Sequence, residues 1–266
     1  MIENIKYVID EEELTESVKN NDSSFSAWVG NLGKYNDGEL VGEWVDFPCS
    51  DEELEAVMNR IEISDEPDAE GFIYDEVFVA DYDGDFGREA YKQFGEYPNF
   101  DELNEFAENC VKLKDLDVKY GEGFASNLMD QAGYDAEELL EKIRDIVVIP
   151  ADTEEDLGYY IIDERYGGIE KIPYGDLEQY FDFEALGRDL GFDDYPGEQT
   201  AGEYYCGDEN ATDYEIGEAY VEEVDGIANI ANADNYFDYK AFGRDCAYDY
   251  TKVDTDDYKG YYVYIG

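Results

Sequence analysis

The sequence predicts an α+β protein, an elongated chain of small domains, and three observations predict it. The first is a repeat: Tyr180-Phe181-Asp182-Phe183-Glu184-Ala185-Leu186-Gly187-Arg188-Asp189-Leu190 returns as Tyr236-Phe237-Asp238-Tyr239-Lys240-Ala241-Phe242-Gly243-Arg244-Asp245-Cys246, with seven positions unchanged. The likeness runs outwards from Thr153–Gly158 and Thr212–Gly217 at the openings to Gly202–Tyr205 and Gly260–Val263 at the ends, so a module of about 55–60 residues is duplicated. Each copy reads as helix, Gly turn, short helix and closing strand. The second observation is charge: 71 acidic against 18 basic residues give a formal −53. The third is that hairpin and helical signals alternate along the chain.

The charge argues for the elongated shape. Duplex DNA carries one charge per ~1.7 Å of axis, so this surplus matches roughly 90 Å, or about 26 base pairs. A compact globule of this length would have a diameter of roughly 47 Å, and that density of like charge is destabilising through self-repulsion. A string of small domains relieves it. Disorder is excluded by a 43% hydrophobic and 16% aromatic content, which supplies several small cores.

Taken in order, residues 1–24 form a prefix, with a strand at Ile5–Ile9, a polar helix from about Glu11 to Lys19 and a polar break at Asn20–Ser24. A small antiparallel sheet domain occupies 25–83. Its segments Phe25–Gly30 and Leu40–Phe47 are joined by Tyr35-Asn36-Asp37-Gly38, a hairpin signal because Gly accepts the positive φ of the turn. Ser50 and Glu53 form a capping box that opens a helix bearing Leu54, Val57, Met58 and Ile61, and a strand is expected at Phe72–Tyr82. A helical middle domain fills 84–148. Asn99 caps a helix from Phe100 to about Leu113 with Leu103, Phe106, Ala107 and Cys110 on one face; helices at Gly123–Ala132 and Ala136–Ile146 flank the stop at Gly133. Two tandem α+β modules, 149–206 and 207–266, complete the chain.

Most chemistries are excluded by what is missing. The sequence has no histidine, the commonest general base and metal ligand. Cys49, Cys110, Cys206 and Cys246 are scattered without metal or redox spacing and read as free, mostly buried thiols of a reducing cytosol. Asp81-Tyr82-Asp83-Gly84-Asp85 resembles a calcium loop, but positions six and twelve hold Phe86 and Lys92. No P-loop, nucleophile elbow, dinucleotide fingerprint or basic patch is present, so no enzyme, cofactor or metal is expected. The acidic start is wrong for a signal peptide, and no apolar run reaches membrane-spanning length; a cytoplasmic protein is expected.

What remains is an acidic surface. Its candidate residues are Asp81, Asp83 and Asp85 after the sheet, then Asp152, Glu154, Glu155, Asp156, Asp163, Glu164, Asp182, Glu184, Asp193 and Asp194 in the first module. The second adds Asp213, Glu215, Glu218, Glu222, Glu223, Asp225, Asp238, Asp249, Asp254, Asp256 and Asp257. Glu215, Glu218, Glu222 and Asp225 fall on one helical stripe opposite Ile216, Tyr220, Val221 and Val224; such a row of like charges is destabilising by itself. The equivalent first-module positions are Asp156, Tyr159, Asp163 and Tyr166. Arg188 and Arg244 are expected to pair with carboxylates of their own modules, and Tyr180-Phe181 and Tyr236-Phe237 to lie in a core or subunit contact.

The run Asn31-Leu32-Gly33-Lys34-Tyr35-Asn36-Asp37-Gly38-Glu39-Leu40-Val41-Gly42-Glu43-Trp44 resembles the ArdA family of antirestriction proteins. So do Leu157-Gly158-Tyr159-Tyr160-Ile161 and the first copy of the eleven-residue stretch. The resemblance spans about residues 25–206. It implies three small domains in a curved homodimer that copies bent DNA, occupies the DNA-binding groove of type I restriction-modification enzymes and protects mobile DNA. Nucleic acid and membranes are not partners in that picture. The prefix 1–24 and the module 207–266 depart from it, and the second module either alters the dimer or replaces it with an internal pseudo-dimer. Two alternatives use the same composition: mimicry aimed at another DNA-binding defence complex or regulator, and an acidic enzyme adapted to high salt.

Overall fold

Phe25, Ala27 and Val29 alternate with Ser26, Trp28 and Gly30, and this period of two makes β1 (Phe25–Asn31) a strand with one buried face. The computed structural model describes residues 23–266 apart from positions 68, 70 and 174. The strand expected at 5–9 and the helix at 11–19 lie outside the described residues. Those described form two units, 23–147 with 253–259 and 265–266, and 148–252 with 260–264. Mixed helices and small antiparallel sheets bear out the α+β class.

In the amino-terminal unit β1 leads through a one-turn helix, α1 (Leu32–Asn36), to β2 (Gly42–Phe47), which returns antiparallel with Phe25 opposite Phe47 and Ala27 opposite Val45. The hairpin is therefore present, but its connection holds a helical turn. Asn31 caps that turn by accepting the Lys34 N–H at 3.0 Å. Helix α2 (Asp51–Arg60) opens with the expected Ser50–Glu53 capping box and buries Val57, with Ile61 buried just beyond it. Strand β3 (Val77–Asp83) completes the order β2-β1-β3. It starts five residues later than the sequence suggests. Phe72 and Ile73 are more than half exposed, and Tyr74 forms an isolated bridge to Ser64 ahead of the strand, so the apolar run there does not mark its start.

Helix α3 (Gly87–Phe94) precedes α4 (Phe100–Tyr120), which runs seven residues past the expected end because Leu113 and Leu116 continue its apolar stripe. Asn99 caps it by accepting the Asp101 and Glu102 N–H groups. The α4 stripe lies under the sheet, where Phe25 stacks on Phe47 at 5.7 Å and meets Phe106 at 6.0 Å. Each such fully buried ring stabilises the unit by roughly 1.5–3 kcal/mol. Helix α5 (Phe124–Ala132) stops at left-handed Gly133; α6 (Ala136–Lys142) ends four residues before Ile146, which instead begins β4 (Ile146–Pro150).

The carboxy-terminal unit holds the repeats. The first contributes α7 (Glu154–Tyr166), α8 (Phe183–Leu190) and α9 (Ala201–Tyr205). The second contributes α10 (Asp213–Glu223), α11 (Tyr239–Cys246) and the strands β5 (Thr251–Asp254) and β6 (Gly260–Ile265), which form a sheet in the order β4-β6-β5. The closing strand expected in the first repeat is a helix. Thr200 accepts the Glu203 N–H while the Glu203 carboxylate accepts that of Thr200, and this capping box turns Gly202–Tyr205 helical.

The helices do not pack within their own repeats. α7 lies against α11, and α8 against α10. A glycine sits at each contact: a Cβ on Gly187 would stand 1.7 Å from the Asp213 carbonyl oxygen, and one on Gly243 would stand 1.6 Å from that of Glu154. Only residues without side chains let the backbones come this close. Ile162, Phe181, Phe183 and Leu186 of the first repeat share a single core with Ile216, Val221, Phe237 and Phe242 of the second.

Candidate functional site

The candidate surface begins with how the repeat helices are oriented. Their apolar residues and glycines are taken up by the shared core, which leaves the acids of α7 and α10 outside. Of the acids singled out from the sequence, all are exposed except Glu154 and Asp213, which are half-buried. The two helices present matching acids: Asp156 with Glu215, Asp163 with Glu222, and Glu164 with Glu223, all exposed. Glu218 has Tyr159 as its counterpart, and that ring stacks on Tyr239 with centroids 3.7 Å apart.

Several of these carboxylates also hold the fold. Asp156 and Glu215 complete capping boxes with Thr153 and Thr212, and bonds from the Thr212 N–H and hydroxyl keep the Glu215 carboxyl below its ordinary pKa. Asp182 and Asp238 accept the Ala185 and Ala241 N–H groups, each at 2.9 Å. Asp152 accepts the Gly260 N–H at 2.7 Å. Asp85 pairs with Lys114 at 2.9 Å, and Asp257 with Lys259 at 2.6 Å. Asp225 departs from the expected stripe: α10 ends at Glu223, and Asp225 follows with a left-handed φ of 66°.

Arg188 bonds Glu184 in its own repeat at 3.3 Å but also reaches Asp213 of the other at 3.8 Å; Arg244 lies 3.7 Å from Asp245. Lys34, Arg60, Arg88 and Lys92 are likewise paired with carboxylates. These pairs leave the large acidic excess intact. Cys206 is exposed rather than buried, while Cys110 is fully buried and its thiol is pushed up by desolvation. No group of three or more acids or cysteines among the described residues is arranged to hold a metal ion.

Two acids drawn away from water are not marked by the sequence pattern, Asp117 half-buried and Glu89 buried. Asp117 accepts the Ala125 N–H at 2.7 Å, and burial pushes its carboxyl up to about 6. Glu89 is buried beside Lys92 and is also raised by desolvation. Both sit on otherwise ordinary helix faces, so only their apolar neighbours in sequence could have flagged them.

The run Asn31–Trp44 proves to be architectural. Asn31, fully buried, donates to the Ile61 and Glu62 carbonyls at 3.1 and 3.2 Å, fastening the turn to the end of α2. Gly33 lies beneath the Tyr74 ring, Lys34 sits 4.5 Å over that ring, and Asp37 accepts its hydroxyl at 3.1 Å. Gly42 lies under Trp28 with no room for a Cβ. Compared with known protein families, the chain matches antirestriction protein (ArdA) across residues 27–206, about two thirds of its length. The chain belongs to the ArdA family. No curated protein matches it. As an ArdA protein it is an antirestriction protein, of a family that acts on restriction enzymes without catalysis. The ArdA match takes in the hairpin run and the first copy of the repeated stretch, and it ends at Cys206, before α10 begins. No helix among the described residues is long and apolar enough to cross a membrane.

Proposed function

We propose that this ArdA protein is a DNA mimic that occupies the DNA-binding groove in the methyltransferase core of type I restriction-modification enzymes. It acts in the cytoplasm and protects mobile DNA entering the cell. The observation that supports this reading is the placement of the surplus carboxylates: a formal −53 with exposed acids on α7 and α10 in matched positions and few cations to neutralise them. Solvation alone does not require so large a surplus, and like charges along a helix cost roughly 0.2–0.5 kcal/mol per pair.

In this mechanism the carboxylates take the place of phosphates before the Lys and Arg side chains of the groove. Long-range attraction speeds encounter, and release of counterions condensed on the acidic protein favours the complex. The protein binds no nucleic acid and performs no reaction.

The test is a type I enzyme, its DNA substrate and the purified protein at low salt. Displacement of DNA and loss of cleavage are expected. Unchanged cleavage at large molar excess would remove the proposal, and capture of a different DNA-binding defence complex from host lysate would redirect it.

A further inference from the structure

The two repeats meet through the same atoms on each side. The Asp182 N–H donates to the Tyr236 carbonyl at 2.7 Å, and the Asp238 N–H to the Tyr180 carbonyl at 2.7 Å. The Tyr180 hydroxyl donates to Asp245 at 2.9 Å, and the Tyr236 hydroxyl to Asp189 at 2.8 Å. Gly158 meets Gly243, and Gly217 meets Gly187. Phe181 bridges Phe237 at the centre of the arrangement. When residue i contacts j and the equivalent of j contacts the equivalent of i, the interface is isologous, the form that two identical subunits make about a two-fold axis.

We infer that the second repeat takes, within one chain, the place of a second copy of the first, so that the protein is a single-chain body whose two-fold face is already closed. The surface that α10 and α11 cover carries Phe181, Phe183 and Leu186, all inside the stretch matched to ArdA. Without residues 207–266 those side chains and the bare backbone at Gly158 and Gly187 would face water. An apolar, glycine-lined face of that kind is complementary to its own equivalent, and here the equivalent is supplied by the same polypeptide. This contact lies in the core between the repeats and is independent of what the acidic surface binds.

The central bridge gives the test. Hydrogen bonds flank Phe181 and Phe237 rather than joining them, so their Cα atoms stand about 4.5 Å apart, within reach of a disulfide. The full-length chain would carry Phe181→Cys and Phe237→Cys, with Cys206→Ser in both variant and parent to remove the exposed thiol. Oxidation is expected to give a cross-link within one chain, seen as a single-chain band whose mobility reverts on reduction. A covalent two-chain product joined between positions 181 and 237 would overturn the inference. If the variant does not fold, sedimentation equilibrium on the unaltered protein serves: one chain of 30.4 kDa is expected at micromolar concentration, and twice that mass overturns it. Neither readout involves DNA or a restriction enzyme, so failure here is distinct from failure of the mimic reading.

Discussion

The first repeat ends in the short helix α9, whereas the second ends in the hairpin β5–β6, yet between those ends the glycine contacts, the central backbone hydrogen bonds and the tyrosine hydroxyl bonds recur in both directions. Tyr180, Phe181, Asp182, Gly187 and Asp189 have identical counterparts at 236, 237, 238, 243 and 245, and all of them lie at or beside the shared interface or cap its helices. Positions away from those contacts have drifted instead, Glu184 against Lys240 among them, and the turn after each helix aligns Asp225 with left-handed Gly167 rather than with Tyr166 as the sequence spacing suggests. Packing between backbones tolerates almost no change, while a solvated position accepts even a reversal of charge.

That comparison is broken most severely at the glycines. Gly187→Val and Gly243→Val each place a side chain where a carbonyl oxygen already stands, and overpacking of this kind is expected to cost about 3 kcal/mol or more. Denaturant unfolding should show similar losses for the two. A mild effect in one alone would mean that the helix pairs are not equivalent. Tyr180→Phe and Tyr236→Phe each remove one hydroxyl bond across the interface and are expected to cost about 0.5–1.5 kcal/mol apiece.

A smaller change should improve the second repeat. Asp225 has the left-handed backbone that Gly167 adopts in the first, so Asp225→Gly is expected to raise stability by up to about 1 kcal/mol, measured as a higher denaturation midpoint. The smallest effect on stability belongs to the acids. Reversing Asp163 and Glu164, or Glu222 and Glu223, to lysine should leave the melting temperature within a few degrees. Each should weaken inhibition of a type I enzyme, and the two losses should be of similar size. Inhibition unaffected by either would move the working surface to the amino-terminal unit.

Much of this was legible in the sequence. The duplication, the Ser50–Glu53 box, the Asn99 cap and the stop at Gly133 are local chemistry, decided by residues within one turn of one another. The Thr200–Glu203 box was equally local; the likeness of Tyr204-Tyr205 to the β6 aromatics obscured it. The later start of β3 was not legible, because Phe72 and Ile73 are apolar yet precede the strand and are more than half exposed. Nor was the exchange of helices between repeats, since a glycine shows that something approaches closely and not which segment does. The acids were easy to count and hard to rank, because the same carboxylate that could face a cationic groove also caps a helix at Asp182, Glu215 and Asp238.

Competition between the protein's carboxylates and DNA phosphates is read from the salt dependence of inhibition. With a type I methyltransferase and labelled DNA, the logarithm of the inhibition constant should rise steeply and linearly with the logarithm of salt between about 50 and 200 mM, as expected when counterions are released. Reversal of the α10 acids should flatten that slope. An inhibition constant that stays level across the range would mean that the carboxylates do not stand in for phosphates.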